Sequence, residues 1–576
     1  MICDFCGHDN EPGASLCARC GVEFGHGPKG TQYQQPQIYQ QPEGRPIAEE
    51  FEDKQYRAAG IFKSVAPTRK ILIIVIPAVV IIVALIVVAS MLGGSGGSAQ
   101  KNHIEFFSDS GESIISGNNN EKFAIKGTAA STQISLDGSK AVVLIDFNSR
   151  NGGALWFVTT SGAVLIAEDV FAYRLADSGN GVAYFTEYDD KIDEAALYLY
   201  DTSGRKATLI TDKAYFNGNS TMPGVAISPN GKSVGYILDY DERNYEFTGY
   251  IKIDGKNPEK VGDEMFAVAI SDGGKYLYYR KVDVKTGEAS LHVRSGRNEF
   301  RLVPDASNVQ MMLNKDYSEV LLSVYDGDRR TFISRRGGER ERISGAAILS
   351  LVMSRGAQTR TCDNEFSNVI IDIIVYGKSS MSDFVAVTDE GLAYYNNRLE
   401  ANKIAGSSNY AYSAEISNDG KTLYFINNSN RLSSIDPTVP GAERKEIEKS
   451  VLSFAASGNG RSVYYVNDVD ELYYVSGSGT QTLIAEEVYS GSLTMSYSSN
   501  RVFFLMDYRS NRGGELYCSN NGGRRAKVSG ADEVMALWST PANIFYISRD
   551  NELFRSNGNE KFALFHDRIS RWEVPY

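Results

Sequence analysis

The segment ISNDGKTLYFIN, residues 416–427, contains the pattern that decides the fold. A short apolar stretch ends in an Asp-Gly turn, and a second stretch rich in Leu, Tyr, Phe and Ile follows at once. Asn-Gly and Asp-Gly pairs favour tight hairpin turns because glycine readily adopts a positive φ. Aromatic and β-branched residues are frequent in strands. The segment therefore predicts two antiparallel strands joined by a tight turn.

The same hairpin recurs along most of the chain. Other clear copies occupy residues 134–145, 227–238, 270–281 and 456–467, and weaker copies occupy 176–186, 313–324, 496–506 and 539–548. Successive turns lie roughly 40 to 50 residues apart, a period typical of repeat architectures. The longer interval between residues 316 and 419 would fit one further, diverged repeat. A regular array of similar units is therefore expected.

Each repeat continues with two more strands, such as those in 196–204 and 207–212 or in 471–479 and 481–487. Four short strands per repeat are typical of a β-propeller blade, whose two apolar faces are covered only by neighbouring blades. The predicted fold class is all-β, a β-propeller of about 8–10 four-stranded units over residues 103–576. One large ring, two rings and incomplete blades all stay open. A β-sandwich fits so regular a repeat poorly.

The turn Ser228-Pro229-Asn230-Gly231 resembles the turn of TolB-like, WD-like propeller blades, and the resemblance spans most of residues 126–570. It implies the fold and says almost nothing about function. Residues 114–125 (SIISGNNNEKFA) also echo residues 552–563 (ELFRSNGNEKFA). We therefore expect the N-terminal strands of the propeller to help close the ring.

A single membrane-spanning helix is predicted for residues 71–92, which contain no charged side chain. Twenty-two residues at about 1.5 Å each give about 33 Å of helix, enough to cross a hydrocarbon core of about 30 Å. Basic residues precede the segment, whereas the Gly/Ser linker 93–102 follows it. The positive-inside rule then places the N-terminus in the cytoplasm and the propeller outside, as in a single-pass protein of the cell membrane.

Four of the six cysteines form two C-x-x-C-G knuckles near the N-terminus: Cys3 with Cys6, and Cys17 with Cys20. Two such turns supply the four thiolates of a closed, structural Zn²⁺ site, so residues 1–24 are expected to be a zinc ribbon. The segment resembles the short zinc ribbons that open many bacterial membrane proteins. Residues 25–62, rich in Gln and Pro in their first half, are expected to form a disordered cytoplasmic tether.

The charge distribution argues against nucleic acid as a partner. The chain has 59 basic and 71 acidic residues. Residues 1–70 hold eight of the former and nine of the latter, so the rest of the chain carries a net charge of about −11. A protein that binds phosphate backbones needs a basic surface.

No arrangement in the sequence indicates a catalytic centre. His103, His292 and His566 are the histidines of the propeller region, and none has a His, Cys or Glu at the spacing typical of metal ligands. The only G-x-S-x-G match, residues 93–97, lies in the linker and lacks a strand-turn-helix setting. Acidic clusters at 239–242 and 468–471 lack the ligand series of a calcium loop. A Ser-His-Asp triad assembled in space stays open.

The leading functional expectation is a non-enzymatic binding or scaffolding protein. Its propeller would recognise a protein, a peptide or another cell-envelope ligand, and its zinc ribbon would contact a cytoplasmic protein. The alternative is an exported glycan hydrolase with paired carboxylates in the central funnel. A structural assembly factor with an exposed apolar patch is a third option. The irregular segment 353–380 predicts either an insertion or a degenerate blade.

Overall fold

The computed structural model describes residues 103–569, except for positions 110, 117–121, 217–223, 242–245, 284–285, 287, 307–308, 326–328, 344–347, 353–358, 367–368, 379, 407–410, 497–499 and 541–542. The described residues all belong to one compact unit of the chain, which spans residues 77–576. The predicted zinc ligands, the tether and the predicted membrane helix lie outside the described residues. Within the described residues, no helix has the length and apolar character needed to span a membrane.

The described chain folds into ten sheets that contain eleven antiparallel units in sequence order, and we number these units blades 1–11. Blades 10 and 11 are joined into one larger sheet by the single pair Gly514 and Val534. First strands such as Ala172–Leu175 are buried, whereas fourth strands such as Lys206–Tyr215 are largely exposed. Most blades therefore run from a buried first strand to a more exposed outer strand, whereas the first strand of blade 7, Ile348–Val352, is partly exposed. This arrangement confirms the predicted β-propeller, but it has eleven units, the first with three strands, instead of the predicted 8–10 four-stranded units.

The strands have the following bounds. Blades 1 to 4 contain β1 (Glu105–Asp109), β2 (Glu112–Ser116), β3 (Lys122–Lys126); β4 (Ala129–Ile134), β5 (Lys140–Asn148), β6 (Gly152–Thr159), β7 (Gly162–Val170); β8 (Ala172–Leu175), β9 (Gly181–Asp189), β10 (Glu194–Asp201), β11 (Lys206–Tyr215); β12 (Ala226–Ile227), β13 (Val234–Asp241), β14 (Glu246–Lys252) and β15 (Glu259–Asp263). Blades 5 to 7 contain β16 (Met265–Ile270), β17 (Tyr276–Val282), β18 (Ala289–Ser295), β19 (Asn298–Val303); β20 (Val309–Leu313), β21 (Glu319–Tyr325), β22 (Arg329–Arg335), β23 (Arg340–Arg342); β24 (Ile348–Val352), β27 (Phe384–Thr388), β28 (Gly391–Tyr395) and β29 (Ala401–Gly406), with an inserted hairpin of β25 (Thr359–Phe366) and β26 (Val369–Tyr376). Blades 8 to 11 contain β30 (Ala411–Ile416), β31 (Leu423–Asn427), β32 (Leu432–Ile435), β33 (Lys445–Glu448); β34 (Val451–Ala456), β35 (Ser462–Asn467), β36 (Leu472–Ser476), β37 (Gln481–Ala485); β38 (Thr494–Met495), β39 (Arg501–Arg509), β40 (Gly513–Asn520), β41 (Ala526–Lys527); β42 (Val534–Ser539), β43 (Ile544–Ser548), β44 (Leu553–Ser556) and β45 (Ala563–His566).

The turn between the first and second strands explains why the repeated motif contains Ser, Asp or Asn, and Gly. In blade 8, the Ser417 hydroxyl donates to Asp419 at 2.6 Å and accepts a hydrogen bond from the Thr422 amide at 2.9 Å. Gly420 has a φ of 73°, a left-handed conformation that glycine adopts without a Cβ penalty. Blade 9 repeats these contacts with Ser457 and Asn459. The acidic side chain of the motif is therefore part of the turn.

The blades pack face to face in sequence, and the last blade packs on the first. Phe107 and Ile114 of blade 1 share a buried cluster with Phe545 and Phe565 of blade 11. On its other face, blade 1 contributes Phe106 to a cluster with blade 2. The N-terminal strands therefore lie between the first complete blade and the last one, as the sequence echo predicted, and the seam is closed by side-chain packing.

Blade 1 has three strands that correspond to the second, third and fourth strands of the other blades. The Ile104 amide donates to the Gly138 carbonyl at 3.0 Å, just as the Leu136 amide of the first turn in blade 2 donates to Asp177 of blade 3 at 2.7 Å. β1 thus begins where second strands begin, and no described strand pairs with its other edge. At the opposite end, the Ile569 amide donates to Asn551, a contact that elsewhere marks the entry into the first strand of the next blade.

The irregular segment 353–380 includes an insertion within blade 7. The hairpin β25–β26 separates the first strand of that blade, β24, from its second strand, β27. β26 pairs in parallel with β20, the first strand of blade 6, with Gln310 opposite Asp372 and Leu313 opposite Val375. Of the two alternatives predicted for this segment, the structure supports the insertion. Blade 7 itself is the diverged repeat expected between residues 316 and 419.

Candidate functional site

The first-strand ends of blades 3 to 6 do not leave space for a polymeric substrate. The Tyr317 hydroxyl donates to the Asp177 carboxylate at 2.7 Å and so joins blades 6 and 3. The cavity lined there by Arg174, Asp177, Tyr317 and Ile373 of the inserted hairpin measures about 10 Å³. That volume is about one water molecule.

The carboxylates of this region influence one another. Burial raises the pKa of Asp272, and the negative charges of Asp177 and Asp316 raise it further, while the Asn230 amide that donates to it acts in the opposite direction. Carboxylates that interact are one requirement of a glycan hydrolase, but the substrate must also fit between them. The cavity beside Asp177 is too small to hold a glycan.

An open groove of about 600 Å³ lies where the fourth strand of blade 2 meets the second and third strands of blade 3. Its aromatic wall consists of Phe171, Tyr184, Tyr188 and Tyr198. The rings of Tyr184 and Tyr198 stack across neighbouring strands, with centroids 5.4 Å apart and an interplanar angle of 14°. We call this feature the tyrosine groove.

Polar side chains complete the tyrosine groove. Glu168, Asp169 and Glu187 contribute carboxylates, Asn151 contributes an amide and Arg150 contributes one guanidinium. Groups of this kind donate and accept hydrogen bonds with a hydroxylated ligand. With three carboxylates against one cation, the groove disfavours anionic polymers.

The backbone of the tyrosine groove follows the repeat. Glu187 has a φ of 56°, which for a residue with a side chain is uncommon and often marks a functional site. However, Asp146, Asp239 and Asp507 adopt the same conformation at the corresponding irregularities of the second strands in blades 2, 4 and 10. The left-handed residue is therefore a property of the blades.

A second open groove, of about 560 Å³, lies on blade 5 beside its third strand, β18. The Ser290 hydroxyl is 3.0 Å from Nε2 of His292, two residues along β18 and on the same face of the sheet. Nδ1 of His292 is 3.5 Å from Oε1 of Glu299 on the neighbouring strand β19. His292 has no ligand-type neighbour in the sequence, because Glu299 reaches it only across the strand pair. The alternation Ser-x-His was the available signal.

The other two histidines of the described chain lie at the seam between blades 1 and 11. Nδ1 of His103 is 3.9 Å from the Glu105 carboxylate, which is buried. Nε2 of His566 is 3.1 Å from Asp109. His103 and His566 are far apart in the sequence, but the packing of blade 11 on blade 1 brings both beside the strands that form this seam.

Neither a metal centre nor a disulfide emerges from the described residues. They contain no group of three or more His, Cys, Asp or Glu side chains arranged to hold a metal ion, which includes the described parts of the two acidic clusters. Cys518 carries a free, buried thiol, and burial raises its pKa. The exposed large apolar side chains of the outer strands are spread over different blades. Examples are Leu165 in blade 2, Leu209 in blade 3 and Leu483 in blade 9.

Comparisons with solved structures find β-propeller proteins. The chain is similar to the tricorn protease, with 12% identity over 81% of this chain and 58% of that one, and a TM-score of 0.26. It is similar to the β-propeller domain of the Trilobed protease from Pyrococcus furiosus, with 10% identity over 55% of this chain and 94% of that one, and a TM-score of 0.28. A structure described as the eukaryotic initiation factor matches with 9% identity over 73% of this chain and 94% of that one, and a TM-score of 0.33.

Similarities of this strength give no information on the activity of the chain. Its alignment with the tricorn protease spans less than two thirds of that protein. No protein-family model matches the sequence. No curated protein matches it either.

Proposed function

We propose that this chain is a membrane-anchored binding protein whose propeller recognises a neutral glycan of the cell envelope. The tyrosine groove between blades 2 and 3 carries the proposal. It combines an open volume of about 600 Å³, an aromatic wall and a rim of hydrogen-bonding side chains. Binding sites for small ligands and short polymer segments are typically concave and apolar, with a few placed polar groups.

The chemistry of a sugar ring fits these two kinds of surface. Its C–H faces pack against aromatic rings, and its hydroxyls exchange hydrogen bonds with carboxylates and amides. The partly exposed ring of Tyr198 offers an apolar platform, and the buried ring of Tyr184 supports it from below. A phosphate-rich polymer would meet three carboxylates at the rim, so a neutral polymer is the better ligand.

The proposed location of the chain in the cell membrane is supported by its sequence. The uncharged segment 71–92 would anchor the chain, and the basic residues before it favour a cytoplasmic N-terminus. Cys3, Cys6, Cys17 and Cys20 would hold a structural Zn²⁺, so that the ribbon can contact a cytoplasmic protein. The chain would then link a cytoplasmic protein to an envelope glycan.

The proposal is tested by a pull-down from cell-envelope extract, cell-wall polymer included, with the full-length chain in detergent. Wild type is compared with Tyr198→Ala and with Tyr473→Ala. The second variant is a matched control, because Tyr473 stacks on Tyr465 across the same strand positions of blade 9, at 5.5 Å and 19°.

Retention of glycan by wild type and Tyr473→Ala, with a loss of about tenfold or more in affinity for Tyr198→Ala, would support the groove, because one aromatic contact contributes about 1–3 kcal/mol. Equal retention by all three proteins would reject it. Absence of any retained glycan would reject the function as stated.

A further inference from the structure

Ser290 and His292 form the first half of a catalytic arrangement. Both lie on β18 and project to the same face, because side chains alternate along a strand. Their separation of 3.0 Å between Oγ and Nε2 is a hydrogen-bond distance, so the imidazole can take the proton of the hydroxyl. Both residues are partly buried at the wall of the blade 5 groove, which leaves the hydroxyl within reach of a bound ligand.

Glu299 and Tyr279 hold the imidazole from its other sides. The Glu299 carboxylate lies 3.5 Å from Nδ1, too far for a well-formed hydrogen bond, but its negative charge favours the tautomer with the proton on Nδ1 and the lone pair on Nε2. The Tyr279 ring stacks on the imidazole with centroids 5.3 Å apart and an interplanar angle of 19°. A nucleophile, a base and a carboxylate that orients the base are thus in contact in that order.

Two cations line the same groove. Lys281 lies opposite Ser290 in the strand pairing, and Arg301 lies opposite His292. Both are part of the groove wall, together with the acidic residues Glu264, Asp283 and Glu288. A cation beside the serine can stabilise the negative oxygen that develops when a carbonyl is attacked.

We propose that Ser290, His292 and Glu299 form a hydrolytic site for carboxylic esters. This activity is separate from glycan binding, because the site is on blade 5 and the tyrosine groove is between blades 2 and 3. Esters are favoured over amides because an alcohol leaves more readily than an amine. The volume of about 560 Å³ accommodates a short acyl group and part of the alcohol.

In the first step, Oγ of Ser290 bonds to the ester carbonyl carbon while its proton passes to Nε2 of His292. The carbonyl π electrons move to oxygen, and Lys281, which lines the same groove, would stabilise that charge. The tetrahedral species collapses, the C–O bond to the alcohol breaks, and His292 returns its proton to the departing oxygen. Water then repeats the sequence on the acyl-serine and releases the carboxylic acid and free Ser290.

His292 is suited to act as the base near neutral pH. Burial lowers its pKa below the ordinary value of 6.5, the Arg301 and Lys281 charges lower it further, and Glu299 acts in the opposite direction. The imidazole is therefore mostly neutral at pH 7 and able to accept a proton. Hydrolysis should lose its base as the pH falls through this lowered pKa.

The test uses the full-length chain in detergent with p-nitrophenyl acetate as substrate and a fluorophosphonate as covalent probe. Ser290→Ala is compared with Ser476→Ala. Ser476 is a matched control, since it too lies on a third strand, in blade 9, but its hydroxyl contacts the Ser478 hydroxyl at 2.7 Å. Thermal melting establishes that both variants fold.

The expected result is one probe adduct on wild type and on Ser476→Ala, none on Ser290→Ala, and a loss of about 100-fold or more in kcat/KM for Ser290→Ala. Glu299→Gln, a change at a positioning residue, should lower kcat and move the acid limb of the pH profile to lower pH. An unchanged rate and adduct in Ser290→Ala would overturn the proposal, as would a wild type that neither hydrolyses the ester nor reacts with the probe.

Discussion

The buried carboxyl of Glu105 makes the stability of the propeller seam dependent on pH. Glu105 is 2% exposed on β1, and its carboxyl faces Thr540, Asn543 and Arg555 of blade 11. Burial raises the pKa of Glu105 from 4.5 to about 7, although hydrogen bonds and the Arg555 charge act in the opposite direction. The folded seam therefore holds this proton at pH values where the unfolded chain has released it.

The size of the effect follows from the two pKa values. A tenfold difference in proton affinity is about 1.4 kcal/mol, so the change from 4.5 to about 7 corresponds to about 3 kcal/mol. Below pH 4.5 the Glu105 carboxyl is protonated in both the folded and the unfolded state, so its ionisation does not lower the free energy of unfolding. Between 4.5 and about 7 the folded state binds more protons than the unfolded state, so stability falls as the pH rises. Above about 7 the full cost applies.

The assay is chemical denaturation of wild type and Glu105→Gln over the range from about pH 4 to about pH 8. The amide cannot ionise, so the stability of the variant relative to wild type should rise by about 3 kcal/mol across this range. Glu112→Gln, at an exposed position of the adjacent strand, is the control and should show no such trend. Parallel pH profiles for wild type and Glu105→Gln would show that ionisation of the Glu105 carboxyl does not destabilise the folded state.

Three further outcomes are expected. Phe107→Ala should cost about 3–5 kcal/mol, because its ring packs on Phe545 and Phe565 across the seam. In Phe107→Ala, hydrogen exchange should rise first in blades 1 and 11. Phe425 is also buried, and Phe425→Ala should raise exchange in blades 7 and 8 instead. Gly460→Ala should destabilise more than Gly420→Ala in thermal melts. Both have a positive φ, but a Cβ at 460 would lie 2.7 Å from Thr422 and one at 420 meets no atom within 4 Å. Zinc analysis should find about one Zn²⁺ per chain, lost on chelation and in Cys3→Ser, and a chain without zinc would contradict the ribbon.

The fold could be predicted from the sequence because its signal is local and repeated. The Asp-Gly or Asn-Gly turn needs a glycine with positive φ. It also needs a serine whose hydroxyl forms hydrogen bonds with the Asp or Asn side chain and with the backbone that follows. The same residue types therefore recur in most blades. Even the diverged blade 7 was visible as an interval of the right length. The hairpin β25–β26 was less predictable, since its parallel pairing with β20 joins segments of two different blades.

The candidate sites were not predicted, for a physical reason. Tyr184 and Tyr198 face each other on neighbouring strands, and the rest of the tyrosine groove comes from the adjacent blade. Glu299 meets His292 through the strand pairing of β18 with β19, whereas Ser290 lies two residues from His292 on β18 itself. Contacts between strands depend on register, which a one-residue slip would reverse. Sequence motifs of fixed spacing do not record these contacts between strands.

Binding of a neutral envelope glycan in the tyrosine groove can be measured by a hydrogen-exchange footprint of the full-length chain with the solubilised polymer. We expect slower exchange in Gly181–Asp189 and Glu194–Asp201, the strands that carry Tyr184 and Tyr198. The equivalent strands of blade 9, Ser462–Asn467 and Leu472–Ser476, should be unaffected. Protection in blade 9 or elsewhere, with none in blades 2 and 3, would show that the glycan does not bind in the tyrosine groove.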